Sequence, residues 1–309
     1  MRKNLLKQGV GRFFRGNLHC HSNRSDGLQT PEYVAAAYRD AGYDFILLSD
    51  HFEASYGWQV TDTRDLRDDR FTTIIGAELS SGPWDERHCY WITAAGLPLD
   101  FEAPPPGNLA EAITRAAQCG AFVTMLHPGL NNLPLAAVPT LPAFDAVHAV
   151  EIYNHNTAMS GGTDRAHGGY MLDGLLEQGY RLFVNAGDDA HFGHPADRFG
   201  GWVEVYCDQL DPSALLEALH AGRYYSTQGP ALHELLVDGN QLHVETSEVY
   251  AIGIMGSGER WQSGTERTSA RDATIAAADF DISPFHGSYC RVTAVDWAGR
   301  CAWSNPIWP

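Results

Sequence analysis

Short apolar runs recur along the first two thirds of the chain, at residues 45–48, 72–75, 121–126, 149–153 and 182–184. Each is followed by a polar or metal-capable residue, as expected of buried strands that end at a functional edge. Helical patterns with start signals lie between several of them. Thr30-Pro31-Glu32 places a cap, a first-turn proline and an acid on the helix dipole, predicting a helix that runs to Gly42. Asn108 with Glu111 makes a capping-box-like start for a helix ending near Gly120. Asp211-Pro212 starts another that ends near Gly222. Strands alternating with helices of this length predict βα units around a buried parallel sheet.

After about residue 230 the texture changes. Residues 232–237, 241–245, 249–255, 273–278 and 289–295 are short strand-like stretches separated by Gly, Asp and Ser, with no helix-period segment among them. That pattern predicts a small all-β, sandwich-like domain over residues 231–309, following a first domain over residues 1–230. The length, 309 residues, fits this division, because a barrel of about 200–250 residues leaves room for an appendage.

Composition narrows the function. A formal charge of −17 repels nucleic-acid phosphates and gives no footprint for DNA, RNA or anionic lipid. A small-molecule substrate, even an anionic one, stays open, because bound metal ions dominate the local field of a site. The basic stretch at residues 1–16 lacks an apolar core and no window reaches transmembrane length, so the expectation is a cytoplasmic protein. The six cysteines contain no C-x-x-C pair. A turn at Asp296-Trp297-Ala298-Gly299 would set Cys301 opposite Ala294, so Cys290 and Cys301 should not pair.

The fourteen histidines matter through their spacing. In Leu18-His19-Cys20-His21-Ser22, residues two apart on an extended strand point the same way, so His19 and His21 can grip one metal while Cys20 faces away. Ligand types recur at later strand ends: Asp26, His51 in Ser49-Asp50-His51, Glu78, His127, and Asp189 with His191. In an α/β barrel the carboxyl ends of the strands converge on one face, where these groups could meet. His88 begins a run instead of ending one, but only nine residues separate it from Glu78. That gap is too short for a helical crossover, so the two strands should be antiparallel, with His88 at the same end as Glu78.

Residues 17–52 (N-L-H-C-H-S-N-R-S-D-G … L-L-S-D-H), then G-A-E-L-S, L-H-P-G and G-D-D-A-H, closely resemble the polymerase and histidinol phosphatase (PHP) superfamily over about residues 16–200. The resemblance implies a distorted (β/α)7 barrel, followed here by the small C-terminal all-β domain, and two or three divalent metals, commonly Zn, Mn or Fe. It implies that His19, His21, Glu78 and Asp189 hold one metal and form the catalytic set. Glu78 would bridge to a second metal held by His88 and His127, and Asp26, His51 and His191 would hold a third. Asp26 stands where some relatives use His. The tail, with G-R-Y-Y-S-T-Q-G-P at 222–230 and D-W-A-G-R at 296–300, is similar to the β-domain of a branch that includes carbaryl-hydrolase-like metallohydrolases.

A metal-dependent phosphoesterase acting through metal-bound hydroxide on a small phosphorylated molecule is the leading expectation. Hydrolysis of a carboxylic ester, carbamate or amide by the same cluster is the alternative, and a metal-binding scaffold without turnover is the third. Candidate substrate contacts are Arg198, able to fork onto a phosphate or to pair with Asp197, and His194, His155 and His167. Asp50 is open between orienting a ligand histidine and a turn role; in the Asp188-Asp189 pair, the D-x-H spacing favours Asp189 as ligand. Glu151 and Asn154 close a strand and should face the site or its rim.

Overall fold

The computed structural model describes residues 2–82, 89–264 and 273–309. Its strands are β1 (Lys3–Asn4), β2 (Arg12–Asn17), β3 (Phe45–Leu48), β4 (Thr72–Ser80), β5 (Trp91–Ala95), β6 (Phe122–Met125), β7 (Ala149–Asn154), β8 (Phe183–Gly187), β9 (Trp202–Cys207) and β10 (Tyr224–Thr227). Then follow β11 (Leu232–Asp238), β12 (Gln241–Val249), β13 (Ala251–Gly256), β14 (Trp261–Ser263), β15 (Ile275–Asp281), β16 (Cys290–Val295) and β17 (Cys301–Ser304). The helices are α1 (Pro31–Asp40), α2 (Ala110–Gln118), α3 (His155–Met159), α4 (Gly169–Glu177) and α5 (Pro212–His220). Among the described residues no helix is long and apolar enough to cross a membrane.

The helix starts follow local chemistry. Thr30 caps α1 by accepting from the Tyr33 N–H, and Asp211 caps α5 by accepting from Ser213 and Ala214, each with proline at the first turn. The expected cap of α2 is different: the helix begins after Leu109, and Asn108 spends its amide on the Glu111 carboxylate at 3.0 Å instead of on a backbone N–H. Helix α4, not foreseen from the sequence, buries Met171, Leu172, Leu175 and Leu176 on one face.

Thirteen strands form one mixed sheet in the order β14-β13-β16-β17-β10-β9-β2-β3-β4-β5-β6-β7-β8. From β2 to β8 the neighbours are parallel except at β5, which is antiparallel to both β4 and β6, as the short gap after Glu78 predicted. The two ends of this arc meet again beyond the strands. Cys20 and Ala190 form a parallel bridge, with His21 N–H donating to Ala190 and Asp189 N–H to His19, both at 2.8 Å. Strands β9 and β10 were also unforeseen; β9 pairs antiparallel with β2 and carries the sheet on into β10 and β17.

The remaining strands form a four-stranded sheet, β1-β11-β12-β15. Leu232, Leu235, Leu242 and Val244 from it share a core with Ile252, Ile254, Val292 and Ala294 from β13 and β16. Arg291 on β16 ties that region to α4 through a two-pronged pair with Asp173 at 2.6 and 2.8 Å. The β16–β17 loop is one residue longer than a two-residue-turn reading allows, so Cys301 faces Val295 instead of Ala294, and all six cysteines are free.

Close approach of β4 and β5 requires glycine at position 76, where a Cβ would sit 2.1 Å from the Ala94 carbonyl oxygen. Gly76→Val should therefore cost about 1–3 kcal/mol in urea unfolding. A second expectation concerns acid. His148, whose Nδ1 accepts from the Val123 N–H at 3.0 Å, has its pKa lowered to about 4 by burial and by the neighbouring His220. The unfolded chain takes up that proton first, near an ordinary pKa of about 6.5, so this contribution is intact above that pH and fades as the pH falls towards 4. The urea midpoint of His148→Asn should decline less steeply across that window than that of the wild type.

Candidate metal centre

Strand β2 ends at Asn17 and bends at Leu18, yet the side chains of residues 19–21 still alternate. Cys20 is buried among Val34, Ile46 and Ala190, while His19 and His21 turn to the other side with ring centroids 5.4 Å apart. Glu78 arrives on β4 and Asp189 from the end of β8. The His19 Nε2 lies 3.1 Å from Glu78 Oε2 and 3.2 Å from Asp189 Oδ1, and His21 Nε2 lies 3.1 and 3.3 Å from the same two oxygens. One ligand atom from each of these four residues falls within 4.8 Å of all the others.

A second group adjoins the first. His21, Asp26, His51 and His191 meet the same distance condition. Asp26 Oδ2 stands 3.3 Å from Nε2 of both His51 and His191, and its Oδ1 lies 3.6 Å from His21 Nδ1. The His21 imidazole therefore stands between the groups, one nitrogen facing each. His127 approaches from β6 with its Nε2 3.7 Å from Glu78 Oε1. His88 lies outside the described residues. His127 and Asp189 both have positive backbone φ, 28° and 56°, uncommon outside glycine even though His and Asp enter that region more readily than most residues, and often found at functional sites.

The acids around these rings are braced from behind. Asp188 receives N–H donors from Phe199, Gly200 and Gly201 at 2.8–2.9 Å, the Tyr38 hydroxyl at 2.8 Å and the Asn17 amide. Asp50 accepts from Ser22, Ser25 and Thr61 and pins the loop that follows His21; among the described residues it forms no hydrogen bond or ion pair with a histidine. Glu151 accepts from His19 Nδ1 at 2.9 Å, and Asn154 bridges Glu151 to Asp189.

Five carboxylates, Asp50, Glu78, Glu151, Asp188 and Asp189, are buried here, and among the described residues none forms an ion pair with Lys or Arg. Burial alone would push the His19 imidazole down, but Asp189, Glu151 and Glu78 outweigh it and hold its pKa well above the ordinary value. Burial would likewise raise Glu78, yet His19, His127 and His21 hold it well below the carboxylate range. Nδ1 of His21, His51 and His127 is in each case buried without a hydrogen-bond partner among the described residues. Converging acids that pair with no Lys or Arg among the described residues, set against several imidazole nitrogens, fit divalent cations.

No family model matches the chain, and no curated protein matches it. Among solved structures, a two-domain protein from Bacteroides vulgatus containing a predicted PHP-like metal-dependent phosphoesterase aligns over 96% of this chain and 95% of its own, at 15% identity and a TM-score of 0.51. The chain has a PHP-like fold. A candidate metal-dependent phosphoesterase from Bifidobacterium adolescentis covers 59% of this chain and 89% of its own at 13% identity, with a TM-score of 0.43. An amidohydrolase from Chromobacterium violaceum covers 59% and 90% at 15% identity, also with a TM-score of 0.43.

Within this PHP-like fold the four candidate substrate contacts stand outside both ligand groups. Arg198 donates to Asp197 at 3.2 Å and to the His194 carbonyl at 3.0 Å, with its guanidinium 4.8 Å above the Phe192 ring. The ring of His194 accepts from the Ala196 N–H. His155 shares a hydrogen bond with the Tyr153 hydroxyl at 2.9 Å, and His167 packs against Tyr153 and Trp303. Glu151 and Asn154, expected from the sequence to face the site or its rim, stand against its ligands, while Asn17 and Tyr38 had no foreseen role; the doubled acid in G-D-D-A-H was the one signal that a second carboxylate needed its own partners.

Asp188 and Asp26 should separate structural from ligand roles. Asp188→Asn turns an amide towards groups that are all donors and should cost about 1–3 kcal/mol in urea unfolding. Asp26→Ala, at the half-exposed rim, should change stability by less than about 0.5 kcal/mol while lowering the bound metal content measured by elemental analysis.

Proposed function

We propose that this protein is a metal-dependent phosphoesterase that hydrolyses a small phosphorylated molecule at a centre of two or three divalent ions, zinc, manganese or iron. The observation that carries the reading is the pair of adjoining ligand groups that share His21, with Glu78 reaching both His19 and His127. In this reading the arc β2–β8 is a distorted (β/α)7 barrel within residues 1–230, residues 231–309 form the β-sandwich-like part, and His88 completes the set around His127 and Glu78.

His19, His21, Glu78 and Asp189 would hold one ion, Glu78 and His127 a second, and Asp26, His51 and His191 a third. Ions held in this way supply an acidified water and neutralise charge on phosphoryl oxygens. The protein's own contribution is positioning. Asp188 fixes the turn that presents Asp189, Asp50 fixes the loop after His21, and burial of Glu78 keeps both of its oxygens facing ligands. His191 and Asp26 are the most exposed members of the second group, so substrate would enter from their side.

One observation favours a second reading, hydrolysis of a carboxylic ester, carbamate or amide. Arg198, the basic side chain expected to grip a phosphate, is already engaged by Asp197 and a backbone carbonyl. The two readings part on p-nitrophenyl phosphate, bis-p-nitrophenyl phosphate and p-nitrophenyl acetate, offered to protein reconstituted with manganese or zinc. Metal-dependent release from a phosphate ester, absent in His19→Ala, is the expected result. Turnover of the acetate alone would replace the phosphoesterase reading with the second.

A further inference from the structure

We infer that Glu151 is a positioning residue that dictates which nitrogen of His19 faces the metal centre, and that an amide of the same shape cannot take its place. The inference rests on the metal-centre reading but not on the reaction class. Glu151 is 1% exposed on β7 and meets donors only. Its Oε1 faces His19 Nδ1 at 2.9 Å; its Oε2 faces the His127 backbone N–H at 2.8 Å and the Asn154 amide at 3.1 Å. A carboxylate accepts and cannot donate, so Glu151 takes the Nδ1–H of His19 and leaves Nε2 as the ring nitrogen that faces Glu78 and Asp189.

Two further features make Glu151 more than a local partner. Asn154 reaches Asp189 Oδ2 at 3.2 Å as well as Glu151, and Asp189 Oδ1 lies 3.2 Å from His19 Nε2, so His19, Glu151, Asn154 and Asp189 form a closed buried ring. The same carboxylate holds the N–H of His127 in its left-handed conformation, so one side chain sets two ligand residues assigned to different ions. Position 187 leaves room for this: a Cβ on Gly187 would lie 3.0 Å from Glu151 Oε1 and 2.8 Å from the His19 Cβ.

Glutamine at 151 matches the shape but has one acceptor and one donor group. Two donors converge on the Oε2 position, and one of them is a backbone N–H that cannot adapt. The amide oxygen belongs there, which turns the NH2 towards His19. His19 can then satisfy it only by moving its proton to Nε2, where it blocks coordination. Alanine would instead leave space for water, which can accept from Nδ1–H. A role in filling space predicts that glutamine is milder than alanine; the role inferred here predicts that it is not.

The experiment measures zinc affinity by competition with a chromophoric chelator for wild type, Glu151→Gln and Glu151→Ala. It is joined by the ring-nitrogen NMR shifts of His19 in the zinc-loaded wild type. The expected result is an affinity loss of about 10–100-fold in Glu151→Gln, at least as large as in Glu151→Ala, with wild-type His19 protonated on Nδ1 and bound through Nε2. Wild-type-like affinity in Glu151→Gln, a loss clearly smaller than that of Glu151→Ala, or coordination through Nδ1 would each overturn the inference. The wild-type shifts decide the matter even where a variant does not fold. A wild type that binds neither zinc nor manganese would overturn the metal-centre reading itself, whereas normal zinc binding with an unaffected Glu151→Gln overturns only the role of Glu151.

Discussion

Two backbone hydrogen bonds, His21 N–H to Ala190 and Asp189 N–H to His19, hold the chemistry of this molecule together. They extend a parallel pairing past the ends of β2 and β8, where regular strand structure has already stopped. The pairing turns His19 and His21 to one side and Cys20 to the other, and brings Asp189, in its left-handed conformation, beside the two histidines. The strand ends carrying Glu78, His127 and Glu151 are then within reach of a common point. A slip of one residue would exchange His21 for Cys20 and dismantle the cluster.

The electrostatics follow from that geometry. Carboxylates crowded together away from water repel one another and lose hydration, and arginine or lysine is the usual remedy. Here the cationic side chains lie elsewhere: Arg291 ties α4 to β16, and Arg198 braces the loop after His191. The acids are divided between two tasks. Asp50 and Asp188 are met by donors from behind and shape the backbone, Glu78, Asp189 and Asp26 face the imidazoles, and Glu151 does both.

What the sequence made legible were the features that act through spacing. H-x-H announces itself because extended chain repeats every two residues, and the inverted β5 could be argued from the length of the gap after Glu78. Features that depend on distant partners were hidden. Glu151 sits in E-I-Y-N, which has no signature of its own, and meets His19 across 132 residues and His127 across 24. The engagement of Arg198 by Asp197 was open in the sequence, because an arginine beside an acid can equally reach for a ligand. Strands β9 and β10 were passed over because nothing local says that a short run will find partners in β2 and β17.

The thirteen-stranded sheet crosses from β9 to β10 and on to β17 without a break in its hydrogen-bond ladder. A cut after residue 230 would therefore strip β10 of its β17 neighbour and leave a row of unpaired amides and carbonyls along a newly exposed edge. Such an edge invites pairing with another chain, so a shortened form of this protein is more prone to assemble with itself than to behave as an independent catalytic half. The C-terminal strands, far from the metal-ligating residues in sequence, act for the sheet as a selvedge does for cloth.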